Sequence, residues 1–270
     1  MPQTNLRILR YPGGKQRMVN YLLTKLPASR TIGGRFVEPF VGGAAVFFAI
    51  NPKKSLLADV NTELIELYRG LRRYPGDVWT TFSEFPSNKK GYYRTRAVDT
   101  ESLDLATKAA RLLYLNRTCF KGMWRQNASG KFNVGYGGQD RRWAVTEQNI
   151  LTVSRRLKNA SLRVADFEPV IAECTSDDFI FLDPPYRPGA SEVTNDHYVS
   201  FRFTYSDHER LASVLRLATK RGVKWAMTTS AHKDIVQLFK NTRVDNLPKG
   251  TGNRPGLLVQ KSGEVLIRNY

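Results

Sequence analysis

The sequence is poor in the residues that mark several common protein classes. It has only two cysteines, Cys119 and Cys174, and three histidines among 270 residues. Two cysteines do not form a disulfide framework, so we expect a reducing, cytoplasmic environment. The histidines do not fall at the spacing of zinc ligands, so we expect no metal. No run approaches the roughly 18 to 20 apolar residues of a spanning helix, and residues 1–15 lack the apolar run of a secretory signal, so we expect no membrane association.

Acidic residues are scarce relative to basic ones. The chain carries 42 lysines and arginines against 24 aspartates and glutamates, a formal net charge of +18. An excess of this size favours a polyanionic partner, and without a membrane segment the candidate is nucleic acid. Hydrophobic residues make up 41% of the chain, which is typical of a globular protein with a buried core.

Five short apolar runs end in polar residues, a pattern that predicts buried strands with chemistry at their carboxyl ends. The runs are 35–37, 55–58, 162–165, 179–182 and 223–227. Four of them lead into a carboxylate: Glu38, Asp59, Asp166 and Asp183. Amphipathic helices are predicted between them over 62–71, 105–115 and 208–219. This alternation predicts an α/β fold with a mostly parallel, doubly wound sheet, in which ligands bind beyond the carboxyl ends of the strands.

The segment 116–143 has no clean period and is rich in cations, glycines and aromatic rings. Asp140 is its only acidic residue. Its rings are Phe120, Trp124, Phe132, Tyr136 and Trp143. Cations suit phosphates, rings suit bases and glycines permit close approach, so the segment predicts a nucleic-acid surface. The alternative is a solvated loop with a few packed rings, and the charge of the whole chain favours the first interpretation.

The sharpest motif is Asp183-Pro184-Pro185-Tyr186, directly after the apolar run 179–182. The two prolines restrict the backbone and hold the Pro184 carbonyl beside the Asp183 carboxylate. Two neighbouring acceptors suit an amino group with two hydrogens, and the Tyr186 ring offers a stacking surface. A strand-ending turn would use the same residues, so the tetrapeptide alone leaves both interpretations open.

A second motif, residues 36–45 (FVEPFVGGAA), is typical of a nucleotide-binding strand–helix turn. The adjacent Gly42 and Gly43 do not match the spacing of a dinucleotide site, so no diphosphate is implied. Asp59, at the tip of the next strand, occupies the place of an acid that accepts from ribose hydroxyls. The turn therefore predicts a ligand with a nucleoside, and a purely structural turn is the alternative. A third motif, the glycine–lysine loop 10–15, does not match the loop of nucleoside-triphosphate sites.

In this chain order the motifs resemble the DNA adenine methylase (Dam-type) family of S-adenosylmethionine-dependent N6-adenine methyltransferases, over nearly the whole chain. Further agreement lies in residues 115–117, 122–127, 132–134, 136–137 and 166–167. The resemblance implies a Rossmann-like methyltransferase fold with a smaller, mainly helical and loop target-recognition subdomain. That subdomain would span 75–155, inserted into a catalytic domain made of 1–74 and 156–270.

The resemblance also implies roles for individual residues. Catalysis would involve Asp183, Pro184, Pro185 and Tyr186. S-adenosylmethionine, without a metal, would contact Tyr11, Lys15, Glu38, Pro39, Phe40, Gly42, Gly43, Asp59, Asp166, Phe167 and Asp183. Double-stranded DNA would contact Arg10, Arg117, Met123, Arg125, Asn127, Asn133, Tyr136, Arg141 and Arg142. The target adenine would be rotated out of the duplex to reach the site. No obligate protein partner is implied, and a cognate restriction endonuclease would act separately.

Two departures from the family concern the first loop and the target sequence. Tyr11-Pro12 stands where the family usually has Trp and a small residue, and Gly138 stands where relatives that read GATC often carry an arginine. We therefore expect methylation at GATC or a related site with relaxed specificity. The alternatives are methylation of RNA adenine and a catalytically inactive DNA-binding homologue. The basic insert disfavours a protein glutamine as substrate, and Asp183 in place of Ser disfavours cytosine N4.

Overall fold

The computed structural model describes residues 6–10, 15–127, 131–186, 203–248 and 261–270. Within these ranges the chain forms one seven-stranded sheet in the order β3-β2-β1-β4-β5-β7-β6. The strands are β1 Phe36–Glu38, β2 Ser55–Asp59, β3 Ala160–Val164, β4 Phe179–Leu182, β5 Lys224–Ser230, β6 Arg243–Pro248 and β7 Lys261–Arg268. The first five are parallel, and β7 runs antiparallel to both β5 and β6. The predicted mostly parallel α/β sheet is confirmed.

Helices cover both faces of this sheet. They are α1 Val19–Leu23, α2 Ala45–Ile50, α3 Thr62–Arg73, α4 Pro75–Glu84, α5 Lys89–Ala97, α6 Leu105–Thr118, α7 Glu147–Leu157, α8 Phe167–Ala172, α9 Tyr205–Lys220 and α10 Lys233–Val236. The three predicted helices are confirmed as α3, α6 and α9. Asn61 caps α3, since its side chain accepts from the backbone N of Leu64 at 3.2 Å.

Alternate residues of each central strand enter different apolar cores. Phe36 of β1 packs in one core with α3, α4, α6 and α7, whereas Val37 packs in the other with α8 and α9. Both faces of the strands are therefore buried, which is why they read as continuous apolar runs in the sequence. No helix in the described part of the chain is both long and apolar enough to span a membrane.

The sheet order brings the predicted carboxylates to one edge. The chain moves outward from β1 to β2 and β3 and then returns to β4 on the other side of β1. Asp166, Asp59, Glu38 and Asp183 thus stand at or just beyond the carboxyl ends of β3, β2, β1 and β4, which are neighbours. A crevice opens at such a reversal, and it is where ligands bind in sheets of this kind.

Two parts of the fold differ from what the patterns predicted. The β6–β7 hairpin on the sheet edge was not predicted, and β7 lies directly against β5. In the aperiodic insert, α6 continues to Thr118, and the chain then turns back through short antiparallel bridges between Cys119 and Tyr136 and between Gln126 and Phe132. We call residues 119–136 the recognition hairpin; residues 128–130 lie outside the described ranges.

Candidate active site and nucleic-acid interface

Asp183 directly follows β4 at this edge of the sheet and is held by three donors. Lys15 Nζ is 2.9 Å from Asp183 Oδ1, and the Thr228 hydroxyl donates to the same oxygen at 2.7 Å. The Tyr186 hydroxyl donates to it at 3.3 Å. All three contacts reach Oδ1, and among the described residues Oδ2 accepts no hydrogen bond. One carboxylate oxygen is therefore fixed while the other stays available to a ligand.

Tyr186 and Lys15 form a compact cluster around this carboxylate. Lys15 is only 4% exposed, and its Nζ lies 4.7 Å from the centre of the Tyr186 ring. The Tyr186 hydroxyl also lies 3.4 Å from Glu264 Oε2, on β7. Burial raises the pKa of the Tyr186 phenol well above its ordinary value, and the charges of Asp183 and Glu264 add to the shift. Tyr186 therefore stays a neutral hydrogen-bond donor.

Glu38 is a buried carboxyl group beside this cluster. It is 3% exposed, and among the described residues its Oε2 has no hydrogen-bond partner. Burial raises the pKa of Glu38 well above its usual value, and the nearby Asp183 charge raises it further. A buried acceptor without a donor is costly, so this oxygen is suited to a ligand that brings a positively charged donor.

The glycine turn after β1 is tied to the end of β2. The backbone N of Gly42 donates to Asp59 Oδ2 at 3.1 Å, and the backbone N of Asn61 donates to Oδ1 at 3.0 Å. The buried hydroxyl of Tyr68, on α3, donates to the Gly42 carbonyl at 2.7 Å. Each Asp59 oxygen keeps a further lone pair, so the carboxylate is oriented and can still accept from two hydroxyl groups. Burial raises the pKa of Asp59, while these backbone donors oppose that rise.

Aromatic rings wall the crevice next to β3. Phe40 and Phe167 stack with their centres 5.4 Å apart, and Phe203 closes the cluster edge-on to Phe40 at 5.7 Å. The Arg210 guanidinium lies 4.5 Å from the centre of the Phe167 ring and donates to Asp166 Oδ2 at 2.8 Å. Asp166 also caps α8 by accepting from the backbone N of Glu168. Phe167 itself is only 3% exposed, so the accessible apolar surface of this corner comes from the half-buried rings of Phe40 and Phe203, which suit a heteroaromatic base.

Most of the residues predicted for cofactor and catalysis meet at this edge of the sheet. Pro39, Gly42 and Pro184 are buried, Gly43 is half-buried and Pro185 is exposed. Tyr11 lies outside the described residues. In the part of the chain that the structure describes, no three His, Cys, Asp or Glu side chains lie close enough together to hold a metal ion.

The recognition hairpin places several of the predicted DNA-contacting residues on one strip. The Arg125 Nε donates to Asn133 Oδ1 at 2.8 Å, so these two side chains are aligned across the hairpin. Asn127 and Lys131 close the hairpin. The backbone N of Asn127 donates to the Lys131 carbonyl, and the backbone N of Lys131 donates to Asn127 Oδ1. Asn127 is exposed, and Arg125 and Asn133 are half-buried. The strip presents amide and guanidinium groups, the side chains that read base edges.

A helix supports the hairpin from behind. The Tyr92 hydroxyl, on α5, donates to the Val134 carbonyl at 2.9 Å, and Arg96 Nη1 donates to the same carbonyl at 3.0 Å. Tyr136 packs its ring 5.4 Å from that of Tyr92, and Met123 is half-buried against the same core. Tyr136 and Met123 therefore serve as packing residues that keep the hairpin in place, with part of each surface still accessible.

The aromatic rings of the insert divide into two groups. Trp124 and Phe132 are buried in the core, whereas Trp143 is 79% exposed and Phe120 is 49% exposed. Rings in the core cannot stack on bases, so the predicted stacking surface is reduced to the exposed rings and part of Tyr136.

Arg10 and Arg141 approach each other at the base of the hairpin. Burial lowers the pKa of Arg10, and the charge of Arg141 lowers it further. The Arg10 side chain lies over Gly122, where an added Cβ would come within 2.4 Å of the Arg10 Cβ. Gly122 has a φ of +68°, so the position requires glycine for both conformation and space. Two neighbouring, mutually repelling guanidinium groups favour an anionic or guanine partner.

Two other arginines predicted to contact DNA are used inside the protein. Arg117 is 4% exposed, and its guanidinium donates to the Ile8 carbonyl at 2.7 Å and to the Arg7 carbonyl. Arg142 forms an ion pair with Asp140 at 2.7 Å, and its Nη1 donates to carbonyls at the end of α4. These contacts remove Arg117 from the surface and occupy most donors of Arg142, so neither enters the interface proposed below.

Four residues of the crevice were not predicted from the sequence. Tyr68 and Arg210 lie on amphipathic helices, where they read as ordinary core and surface positions. Thr228 directly follows the predicted strand 223–227, where its residue type indicates no more than the end of that run. Glu264 gave no signal, because the strand that carries it was not predicted.

Comparisons with known proteins agree with this arrangement. Residues 11–251 match the family described as D12 class N6 adenine-specific DNA methyltransferase. The chain is 30% identical to the type II methyltransferase M.MjaIII of Methanocaldococcus jannaschii, over 97% of this chain and 98% of that protein. It is 30% identical to the DNA adenine methylase of Vibrio cholerae, over 88% of this chain and 86% of that protein.

Two further comparisons are limited, the first by the share of the relative that is covered and the second by low similarity. The DNA N-6-adenine-methyltransferase of Escherichia phage P1 is 33% identical over 87% of this chain, which is 31% of the phage protein. Among solved structures, the rRNA methyltransferase aviRa from Streptomyces viridochromogenes aligns over 99% of this chain and 92% of its own, with a TM-score of 0.39 and 11% identity, too distant a likeness to carry an argument.

The family match decides between the substrates that the sequence left open, in favour of DNA over RNA. With the carboxylates, the glycine turn and the recognition hairpin in the places described above, the chain belongs to the D12 class of N6 adenine-specific DNA methyltransferases, enzymes that depend on S-adenosylmethionine.

Proposed function

We propose that the crevice beyond β1 to β4 binds S-adenosylmethionine and methylates N6 of an adenine rotated out of duplex DNA, with Asp183 as the residue that orients the amino group. The observation that carries this proposal is the state of the Asp183 carboxylate. Oδ1 is fixed by Lys15, Thr228 and Tyr186, and Oδ2 accepts no hydrogen bond among the described residues. Such an oxygen is oriented before the substrate arrives.

The crevice fits the cofactor at three points. The orphaned, buried Glu38 Oε2 suits the ammonium group of a methionine moiety. Asp59, oriented by the backbone N of Gly42, suits the two ribose hydroxyls. The half-buried ring of Phe40, backed by the buried ring of Phe167, offers a surface for the adenine. When bound, S-adenosylmethionine supplies an electrophilic methyl group on a positively charged sulfur.

Asp183 Oδ2 and the Pro184 carbonyl would accept the two hydrogens of the substrate amino group. These contacts turn the N6 lone pair out of conjugation and toward the methyl carbon. Transfer would form the N6–carbon bond as the carbon–sulfur bond breaks, which would leave the electron pair on sulfur, and N6 would then release one proton to solvent. Positive charge develops on N6 during the transfer, and the fixed carboxylate stabilises it. Tyr186 would stack on the extruded base, whose removal from the duplex costs a few kcal/mol.

The test replaces Asp183 with alanine. We expect Asp183→Ala to abolish methyl transfer to unmethylated plasmid DNA while the protein keeps its fold and its affinity for DNA. Asp77→Ala, which removes an exposed carboxylate from α4, is the matched control and should retain full activity. Turnover near that of the unmodified protein in Asp183→Ala would refute the proposed mechanism.

The target that we propose is GATC, with measurable methylation at sites one base removed. Arg10 and Arg125 are the candidates for bidentate contact with guanine O6 and N7. Gly138 supplies no side chain, and an added Cβ there would have no neighbour within 4 Å. The position is open to solvent or DNA, and a base contact from it is absent, so discrimination at one base pair should weaken by about 1 to 3 kcal/mol.

Sequencing that reports N6-methyladenine across a plasmid at limiting enzyme tests the target. A consensus without an internal A-T step between G and C would exclude GATC. Strict GATC methylation without near-sites would exclude the relaxed specificity.

A further inference from the structure

Glu264 stands at the same edge of the sheet as the carboxylates of β1 to β4, although it comes from the antiparallel hairpin. In the β5–β7 ladder it is the partner of Ser230, the last residue of β5. Because β7 runs in the opposite direction, its beginning meets the carboxyl end of β5. The hairpin thus brings one more carboxylate into the crevice, within reach of the groups that hold Asp183.

Glu264 and Asp183 share the same two donors. Lys15 Nζ lies 2.9 Å from Asp183 Oδ1 and 3.9 Å from Glu264 Oε2. The Tyr186 hydroxyl lies 3.3 Å from Asp183 Oδ1 and 3.4 Å from Glu264 Oε2. A phenol has a single hydroxyl hydrogen, so Tyr186 can donate to only one of these carboxylates at a time. The position of Lys15 and of that hydrogen therefore decides how much positive charge rests on Asp183.

This division matters for the proposed reaction. A carboxylate stabilises the positive charge that develops on N6 only as far as its own charge is not already neutralised. A Lys15 ammonium placed wholly on Asp183 would weaken that stabilisation and would repel the developing charge. A second acceptor next to Lys15 reduces both effects without removing the lysine from the site.

We propose that Glu264 is a positioning residue that competes with Asp183 for Lys15 and Tyr186, so that the Asp183 carboxylate keeps its charge for the amino group of the extruded adenine. The proposal rests on the function proposed above. Among the described residues, the charged and titratable groups that face Glu264 are Lys15, which precedes α1, and Asp183 and Tyr186, which follow β4; Ser230 and Thr228 of β5 add none. Burial raises the pKa of Glu264, and Lys15 opposes that rise, which agrees with a carboxylate that depends on this lysine.

The first test is the rate of a single turnover for Glu264→Gln, with enzyme in excess over unmethylated plasmid DNA and with saturating S-adenosylmethionine. Glutamine keeps the shape and a hydrogen-bond acceptor but removes the charge that attracts Lys15. We expect a rate lowered about tenfold, with the dissociation constants for DNA and for S-adenosylhomocysteine unchanged within about twofold. Asp245→Asn, the same change in the neighbouring strand β6, is the control and should keep the full rate.

The second test uses the cofactor-free protein and needs no activity. The free energy of unfolding is measured for Lys15→Met, Glu264→Gln and the double variant. If Glu264 acts through Lys15, the effects of the two changes are not additive. Additive effects, or a Glu264→Gln rate equal to that of the unmodified protein, would overturn the proposal. The activity of Asp183→Ala separates the proposed function from the proposed role of Glu264. Full activity of Asp183→Ala refutes the proposed site. An inactive Asp183→Ala together with a fully active Glu264→Gln refutes only the role of Glu264.

Discussion

Replacement of Glu38 by glutamine should make the cofactor-free protein more stable and the cofactor-binding site weaker. Glu38 is buried, and its Oε2 has no partner among the described residues. An ionised carboxylate in this position costs more than a neutral amide of the same shape. Because an unsatisfied buried polar group costs about 1 to 3 kcal/mol and a charged one more, we expect Glu38→Gln to raise the free energy of unfolding by about 1 to 2 kcal/mol at pH 8.

The gain in the free energy of unfolding that Glu38→Gln brings should be larger at high pH than at low pH. Burial raises the pKa of Glu38 in the folded protein well above that in the unfolded chain. Between these two pKa values the folded state binds more protons, so its stability falls as the pH rises. Glutamine does not titrate, and the advantage of Glu38→Gln should therefore shrink toward zero near the pKa of the unfolded chain, about pH 4. Denaturant unfolding at pH 5 and at pH 8 without cofactor measures this difference.

The same substitution should weaken binding of the methionine moiety. A hydrogen bond between charged groups contributes about 1.5 to 3 kcal/mol, which corresponds to a dissociation constant about 10- to 100-fold higher for S-adenosylhomocysteine. Calorimetric titration checks the affinity. A Glu38→Gln protein that is less stable at pH 8, or that binds S-adenosylhomocysteine as tightly as the unmodified protein, would refute the reasoning.

Glu173→Gln provides a control, because this substitution should change the free energy of unfolding at pH 8 in the opposite direction. Arg163 and Arg35 hydrogen-bond to this carboxylate and lower the pKa of Glu173. Its contribution to stability is present above the unfolded pKa and is lost as the pH falls through the folded value. Glu173→Gln should therefore be less stable than the unmodified protein at pH 8 and should approach it at acid pH.

Three further predictions concern the ribose site, a buried arginine and the hairpin. Asp59→Ala should raise the dissociation constant for S-adenosylhomocysteine at least about tenfold, since a charge-assisted acceptor is lost; an unchanged value would contradict the ribose assignment. Arg117→Met should lower the free energy of unfolding by about 1 to 3 kcal/mol because the buried Ile8 carbonyl and the Arg7 carbonyl lose their donor, while folded protein binds duplex DNA as before; a selective loss of DNA binding would return Arg117 to the interface. Arg125→Ala should weaken binding to target duplex by about 1 to 3 kcal/mol in assays at fixed salt, and an equal loss on random duplex would assign it to phosphate.

The placement of the carboxylates was predictable because it follows from local patterns. Each apolar run is long enough for one buried strand, and the residue that ends it must lie at the sheet edge. Glu38, Asp59 and Asp183 therefore share an edge once the strands are parallel. The prediction of the fold and of the crevice needed no knowledge of side-chain contacts.

Which arginines are buried and which face the surface was not predictable, since the contacts of each arginine depend on partners elsewhere in the sequence. Arg117 and Arg125 lie eight residues apart in the same basic segment and look alike in composition. Packing buries the first against the backbone of residues 7 and 8 and aligns the second with Asn133 on the hairpin. Composition gives the number of basic residues. Only the tertiary structure shows which of them bind internal carbonyl groups and which lie at the surface.

The sequence by itself determined the five parallel strands, three of the helices, the carboxylates at one edge and the family to which the chain belongs, because these depend on residues adjacent in the chain. The tertiary structure alone decided that Thr228, Tyr186 and Lys15 converge on one oxygen of Asp183 and that Glu264 competes for two of these donors. Strand β7 runs antiparallel, so its first residues reach the catalytic edge. That direction depends on how the hairpin pairs with β5, which no local pattern encodes.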